Sequence, residues 1–258
     1  MPKLSTAIDA GVEIGQPVFD KRATWKLGFF TAGTSQDTGD ASKDYGRAIT
    51  RFTGLPIYEA KPDDPDSTTL LHLGMSANIL YSASSALRYR SRPESHLAPY
   101  VVDTGNIVAD SAVVAGAEIA WVNGPFSIQG EYLHSWVNER DGQAPGFDGV
   151  YASASWFLTG ESRPYDRHNG CFGRVIPHHE FDWFKGGWGA WELAGRVSYV
   201  NLSSADINGG RLSMLMTGVN WYVHSHVKWR FEYGLGHVTG RQPEGNLNLF
   251  QTRMEVDF

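Results

Sequence analysis

The sequence predicts an all-β protein, an antiparallel transmembrane β-barrel of about 12 strands forming one domain over residues 1–258. Three observations carry that expectation. Apolar residues recur at every second position over long stretches, while helical periodicity is scarce. Aromatic residues make up 13% of the chain and include 9 Trp. The alternating stretches are also longer than ordinary globular strands, which centre on about 5–6 residues, and match the ~9–11 that a tilted strand needs to cross a bilayer.

Twelve such segments follow one another, near 5–20, 24–33, 44–55, 68–82, 86–92, 108–124, 125–139, 147–161, 188–202, 210–225, 227–238 and 247–258. Trp25–Phe29 and Leu71–Ile79 alternate loosely, as does Val150–Leu158. In the ninth segment Trp191, Leu193, Gly195, Val197 and Tyr199 oppose Glu192, Ala194, Arg196 and Ser198. In the eleventh, Val227, Trp229, Phe231, Tyr233 and Leu235 oppose Lys228, Arg230 and Glu232. The last is the clearest, with Phe250, Thr252, Met254, Val256 and Phe258 against Gln251, Arg253, Glu255 and Asp257. In a soluble sandwich the apolar side of each strand would face a core; in a membrane barrel it faces lipid and the polar side lines water. A soluble antiparallel sheet with one solvated side is the alternative, and strand length and the terminal pattern favour the barrel.

Turn lengths test the arrangement. If the C-terminal strand ends at the periplasmic face, His224–His226, Asn123–Pro125 and Ser82–Ser85 all fall on that side, where turns are short. Glu161–Gly187 falls there too and, at about 27 residues, is too long for a hairpin turn and suggests a role of its own.

Composition narrows the function classes. Lys and Arg total 22 against 28 Asp and Glu, a net charge of −6, which disfavours a nucleic-acid binder. The single Cys171 excludes a disulfide framework and any Cys-rich zinc site. No apolar run approaches the ~18 residues of a transmembrane helix, which a strand-built barrel also lacks. Met1–Ala10 shows no basic stretch followed by an apolar core, so no signal peptide is legible.

The stretches LLHLGMSANI (Leu70–Ile79), LRYRSRPESHLAPYVVDTG (Leu87–Gly105), GPFSIQGEYLHSWV (Gly124–Val137) and YASASWFLTGESRPY (Tyr151–Tyr165) carry a resemblance. It continues through FGRVIP (Phe172–Pro177), GAWELAGRVSYVNL (Gly189–Leu202), GVNWYVHSHVKWRFEY (Gly218–Tyr233) and FQTRMEVDF (Phe250–Phe258). In that order they resemble the phosphate-selective porins O and P of bacterial outer membranes. The resemblance implies a 16-stranded homotrimeric barrel in the outer membrane, with a basic, constricted channel for phosphate or related anions and no cofactor. It also implies that a long periplasmic turn folds into the lumen. The sequence departs from the family at its N-terminus, where the signal peptide and about four strands are expected but not seen, together with a loop that carries much of the family's constriction. The chain is then either a truncated gene product or a barrel of about twelve strands, and truncation relative to the family is the favoured reading.

An anion path needs positive charge in a narrow passage. Arg88, Arg90 and Arg92 stand at i, i+2 and i+4, which on a strand puts them on one face about 7 Å apart. A lipid-facing Arg costs roughly 2–4 kcal/mol at mid-membrane, so the three should face the lumen. Such a ladder can pass an oxyanion from one guanidinium fork to the next. Arg47 with Arg51 and Lys228 with Arg230 share faces in the same way, alongside Arg196 and Arg253. The alternative is a set of solvated rim charges balanced by Glu131, Glu192, Glu232 and Glu255. Within the long turn, Arg163 and Arg174 are expected near the path, and their joint replacement by Ala is expected to shift conductance or anion preference. The aromatic Phe258 resembles the C-terminal signal read by the outer-membrane assembly machinery, and also suits an anchor at the lipid interface.

Other chemistry is weak. Gly160-Glu161-Ser162-Arg163-Pro164 lacks the last Gly of a nucleophile elbow. His134-Ser135 suggests a barrel phospholipase only if both residues face lipid, and alternation puts them on opposite faces. His178-His179 and His224-Ser225-His226 lack metal-site spacing, and Gly186-Gly187-Trp188-Gly189 lacks the Lys of a phosphate loop. Cys171 reads as an inert or exposed thiol. The expected function is a passive, non-enzymatic channel for small anions. A non-selective or vestigial porin fragment with a structural role, or a barrel enzyme, are the alternatives.

Overall fold

The computed structural model describes residues 10–31, 45–61, 64–82 and 86–257. Phe258 and residues 1–9 lie outside them. The described residues contain strands and no helix. In chain order the strands are β1 (Ala10–Val18), β2 (Ala23–Thr31), β3 (Tyr45–Lys61), β4 (Asp64–Ser82), β5 (Ala86–Leu87), β6 (Arg90–Ser91), β7 (Val102–Asp103) and β8 (Ile107–Asn123). Then come β9 (Phe126–Glu139), β10 (Gly146–Phe157), β11 (Tyr165–Asp166), β12 (Cys171–Phe172), β13 (Ala190–Ser204), β14 (Ile207–His224), β15 (Val227–Thr239) and β16 (Gly245–Val256).

Eleven long strands form one antiparallel sheet in the order β1-β2-β3-β4-β8-β9-β10-β13-β14-β15-β16, with β5 as a short twelfth strand on β8. Each long strand pairs with the next long strand in the chain, the up-and-down arrangement of a membrane barrel. Among the described residues no pair joins β1 to β16.

The strand expected at 86–92 is corrected to two short pieces, Ala86–Leu87 on β8 and Arg90–Ser91, which pairs with β7 outside the main sheet. β4 and β8 pair directly and antiparallel, from Thr69↔Asn123 to Tyr81↔Ser111, so no full strand fits between them. The chain instead leaves the sheet, and Pro93 and Pro99, which lack an N–H, cannot continue a ladder. β4 therefore ends at Ser82 on the side opposite Asn123–Pro125, which corrects the side expected for that junction; residues 83–85 themselves lie outside the described residues. At the end that carries Asn123–Pro125, the connections between long strands are Phe19–Arg22, residues 62–63, Gly124–Pro125, residues 158–189 and Ser225–His226. Among the described residues, Phe19–Arg22, Gly124–Pro125 and Ser225–His226 are tight turns, which identifies that end as the periplasmic one.

Alternation separates two faces. The outer face carries Trp121, Ile128, Trp156, Leu193, Val197, Leu215, Phe231 and Leu235, all exposed. Near the periplasmic end an aromatic row runs across neighbouring strands, as Trp191↔Trp221 and Trp221↔Trp229 pair in register with Trp156 and Phe126 close by. Toward the other end a polar row crosses the same face, as His134↔Asp148, Asp148↔Asn201 and Asn201↔Arg211 pair in turn. Along β10, Trp156 and Asp148 are separated by Ala154, Ala152 and Val150 on this face. At ~3.3 Å per residue and a tilt near 40°, the two rows lie about 20 Å apart along the normal, close to the apolar band of an outer-membrane barrel.

The inner face is covered by the two long connections. The β4–β8 loop packs Leu87, Tyr89 and Val102 against Val137, Phe147, Leu202, Leu212, Met214, Met216 and Val238, the largest buried apolar cluster. Gly234 and Gly236 make room for it, since a Cβ on either would sit within 2.4 Å of the Met216 or Met214 sulfur.

Candidate functional site: the lumen face

The β4–β8 loop is held from inside. Asp103 on β7 accepts two hydrogen bonds from Arg88, from Nε at 2.8 Å and Nη2 at 2.5 Å. Arg241 lies 3.6 Å from the same carboxylate. The Arg88 guanidinium, the Gly105 N–H and Arg241 together hold the Asp103 carboxyl down at about 2. Arg90 and Arg92 stack on one ring, their guanidinium carbons 4.0 and 4.3 Å from the centre of Tyr100. Glu94 sits at the tip with φ of 53° and reaches the far wall, where Ser198 donates to it at 2.7 Å and Arg196 at 3.3 Å. Gln251 on β16 reaches the Glu94 carbonyl at 3.4 Å. Arg88, Arg90 and Arg92 therefore do not stand on a wall strand; they belong to a loop folded across the inner face.

The periplasmic connection, residues 158–189, enters from the other end. Ser162 N–H donates to Asp66 at 3.0 Å, and His178 Nε2 lies 2.6 Å from the same carboxylate. The hairpin β11–β12 then lies against the inner face of β2–β4. Tyr165 meets His72 Nδ1 at 2.6 Å, and Arg51 bridges Glu118 (2.6 Å) and the Gly170 carbonyl (3.1 Å). Desolvation pushes the Tyr165 phenol up to about 12. Gly170, at φ of 65°, fits where any Cβ would meet the hydroxyls of Thr24 and Thr53 at 2.5 Å.

Arg163 on this connection pairs with Glu192 of β13, which is fully buried, and also donates to Ser155 at 3.1 Å. Glu192 further accepts from Asn220 (2.8 Å) and Tyr222 (2.9 Å), and Lys228 donates to the Tyr222 hydroxyl at 2.9 Å. One step along, Arg230 faces Glu255 at 3.3 Å, with Arg253 its register partner. Arg47 is half-buried on the inner side of β3. Arg174 is placed differently from the expectation that put it near the path. It pairs with Asp257 and donates to His226 Nδ1 at 2.9 Å on the exposed periplasmic rim.

Loop and wall meet through the ion pairs Arg163–Glu192 and Arg196–Glu94 and the Arg51 hydrogen bond to the Gly170 carbonyl, while Arg88–Asp103 ties the β4–β8 loop to itself and Arg51–Glu118 joins two wall strands. Asp103, Glu94, Tyr100, Glu118, His72 and Tyr165 had no signal in the sequence, because each is defined by a partner 15 or more residues away or by a loop's path. His134 and Ser135 lie on opposite faces: His134 Nδ1 contacts Asp148 at 2.7 Å outside, and Ser135 contacts the Tyr89 hydroxyl at 2.8 Å inside. They form no catalytic pair. Among the described residues no cluster of three His, Cys, Asp or Glu could hold a metal ion.

A strand-only sheet with an apolar outer belt and a loop-covered polar inner face defines an outer-membrane barrel of the porin class. A family profile described as phosphate-selective porin O and P matches residues 4–258, and the chain belongs to that family. It is 25% identical to Porin O of Pseudomonas aeruginosa over 90% of this chain and 58% of that protein. It is 30% identical to an uncharacterized protein of Caulobacter vibrioides over 85% of this chain and 44% of that one. The chain thus spans about half the length of these relatives. Among solved structures it is similar to the outer-membrane expressed OmpT of Vibrio cholerae, at 13% identity, a TM-score of 0.46, and 88% and 54% coverage of the two chains.

Proposed function

We propose that this sheet lines a passive outer-membrane channel for small anions, phosphate or polyphosphate first, working without a cofactor and as a homotrimer. Phe258 serves the barrel-assembly machinery in this reading. The single observation that carries it is the inward loop on which Arg88, Arg90 and Arg92 follow one another beside Asp103 and Tyr100. Stacking fixes two guanidinium planes on one ring, and a planar fork at a fixed position is suited to a phosphate oxygen pair. Near the periplasmic end Arg163, Lys228, Arg230 and Arg253 outnumber Glu192 and Glu255, a second positive region at the other end of the lumen. The Arg163 and Arg196 ion pairs and the Arg51 hydrogen bond to Gly170 serve a different role, positioning the two loops that narrow the lumen.

A second reading, a non-selective porin, is favoured at mid-lumen, where Glu94, Glu118 and Glu131 outnumber Arg51 and Arg196. Block of chloride current by added phosphate separates the two. The Arg90→Gln/Arg92→Gln variant leaves the Arg88–Asp103 pair in place and should weaken block by about tenfold or more, the loss of charge-assisted hydrogen bonds worth ~1.5–3 kcal/mol each. Equal block in variant and wild type supports the non-selective reading instead.

A further inference from the structure

The periplasmic connection does not all turn inward. After Pro177 the chain runs back out, and Phe181 packs edge-on against Trp221 of the outer face with ring centres 5.2 Å apart. The Trp188 carbonyl accepts from the indoles of Trp191 and Trp221 at 3.0 and 2.8 Å. Residues 181–188 are thereby fastened to the periplasmic end of the lipid-facing aromatic row.

Between these attachments lies a tight turn. Asp182 bridges to Gly187, its carboxylate accepts from the N–H groups of Phe184 (2.8 Å) and Lys185 (3.0 Å), and its carbonyl accepts from Gly186 at 3.0 Å. Gly186 takes φ of 77°, and a Cβ on Gly187 would lie 2.0 Å from the Glu180 carbonyl oxygen. The turn is therefore built to one shape, and that shape holds apolar rings outward: Trp183 is 81% exposed, Phe184 96% and Trp188 71%. A fixed turn presenting three bare aromatic rings to water would be costly, since each buries 150–250 Å² when covered.

We propose that the Phe181–Trp188 turn is a membrane-interface anchor whose partner is the phospholipid leaflet on the periplasmic side. Two features of the structure select lipid as the occupant. The turn is continuous with the aromatic row that already faces the bilayer, at the depth where amphipathic rings sit among headgroups. Lys185, 86% exposed on its side chain and only loosely paired with Asp182 at 3.8 Å, belongs to the same turn as the rings and matches the phosphate of a headgroup. The anchor sets the height of the barrel and holds the outer part of the connection while its inner part lies against the lumen wall. It is independent of the channel's selectivity.

The test uses the full chain folded into phospholipid vesicles. In a Cys171→Ser background, Phe184→Cys carries an environment-sensitive fluorophore, and lipids brominated near the headgroup or deep in the acyl chain serve as quenchers. The expected result is about a twofold or greater loss of emission with shallow bromines, a smaller loss with deep ones, and little quenching by aqueous iodide. Strong iodide quenching with no bromolipid effect would place the turn in water or the lumen and overturn the proposal. Protection from both quenchers that rises with protein-to-lipid ratio would assign the turn to a second copy of the chain and overturn it equally. Unlabelled Trp183→Ser/Phe184→Ser is expected to keep wild-type phosphate block, which separates failure of the anchor from failure of the channel reading.

Discussion

Replacing Arg163 with Met should unfasten the periplasmic connection from the wall, and its cost can be worked from the contacts of Glu192. That carboxylate is fully buried and accepts from Arg163, Asn220 and Tyr222. Removing the guanidinium leaves a buried charge supported by two neutral donors. Breaking a buried pair from one side costs ~3–5 kcal/mol, and because the Arg163 side chain is 22% exposed, water takes up part of the loss, so about 3 kcal/mol is expected. Adding Glu192→Gln removes the stranded charge but keeps acceptors for Asn220 and Tyr222, and should bring the double variant within about 1 kcal/mol of wild type. Urea unfolding from phospholipid vesicles, followed by tryptophan emission, reads this directly. With a slope near 2 kcal/mol/M the single variant's midpoint falls by about 1.5 M and the double variant's by less than about 0.5 M. A single variant as stable as wild type, or a double variant no better than the single, would refute the claim that this pair latches the connection.

Two further predictions concern the loops. The Asp103 carboxyl titrates lower in the fold than the unfolded value of 3.8, so its contribution is fully present above that value and is lost as pH falls toward about 2. Single-channel recordings should accordingly become noisier between pH 4 and pH 2, and Asp103→Asn should show the same noise at pH 7; a quiet Asp103→Asn channel would rule the carboxylate out as the loop's clamp. Gly170→Ala forces a Cβ against Thr24 and Thr53 at a left-handed φ of 65°, which together should cost about 2 kcal/mol and lift the β11–β12 hairpin from the wall. Maleimide labelling of the neighbouring Cys171 should speed up and conductance should rise, and unchanged values of both would show that the hairpin is not held there.

The fold was legible where side-chain alternation encodes it. In β13, Glu192, Ala194, Arg196 and Ser198 turn inward and Trp191, Leu193, Val197 and Tyr199 outward, because a period of 2 on a half-wet sheet leaves no other choice. The segment 86–92 misled because Leu87, Tyr89 and Ser91 also alternate with Arg88, Arg90 and Arg92, yet their apolar members serve a loop core, not lipid. Alternation reports one buried side and does not say what buries it. The acidic partners were hidden for another reason. Glu94 meets Arg196 across 102 residues and Arg51 meets Glu118 across 67, separations that only the curl of the sheet and the loop paths bring together. The outward turn at Phe181–Trp188 was hidden inside a connection where acidic and basic residues are mixed, four Asp and Glu against four Arg and Lys over 158–189, so its composition does not mark where the chain turns outward.

The most direct test of the account is the reversal potential of single channels in a planar bilayer under a KCl gradient, with phosphate then added to both sides. The account predicts a potential of the sign set by chloride, and chloride current that phosphate blocks through Arg90 and Arg92. A potential near zero or of the sign set by potassium, with no block by phosphate, would contradict it.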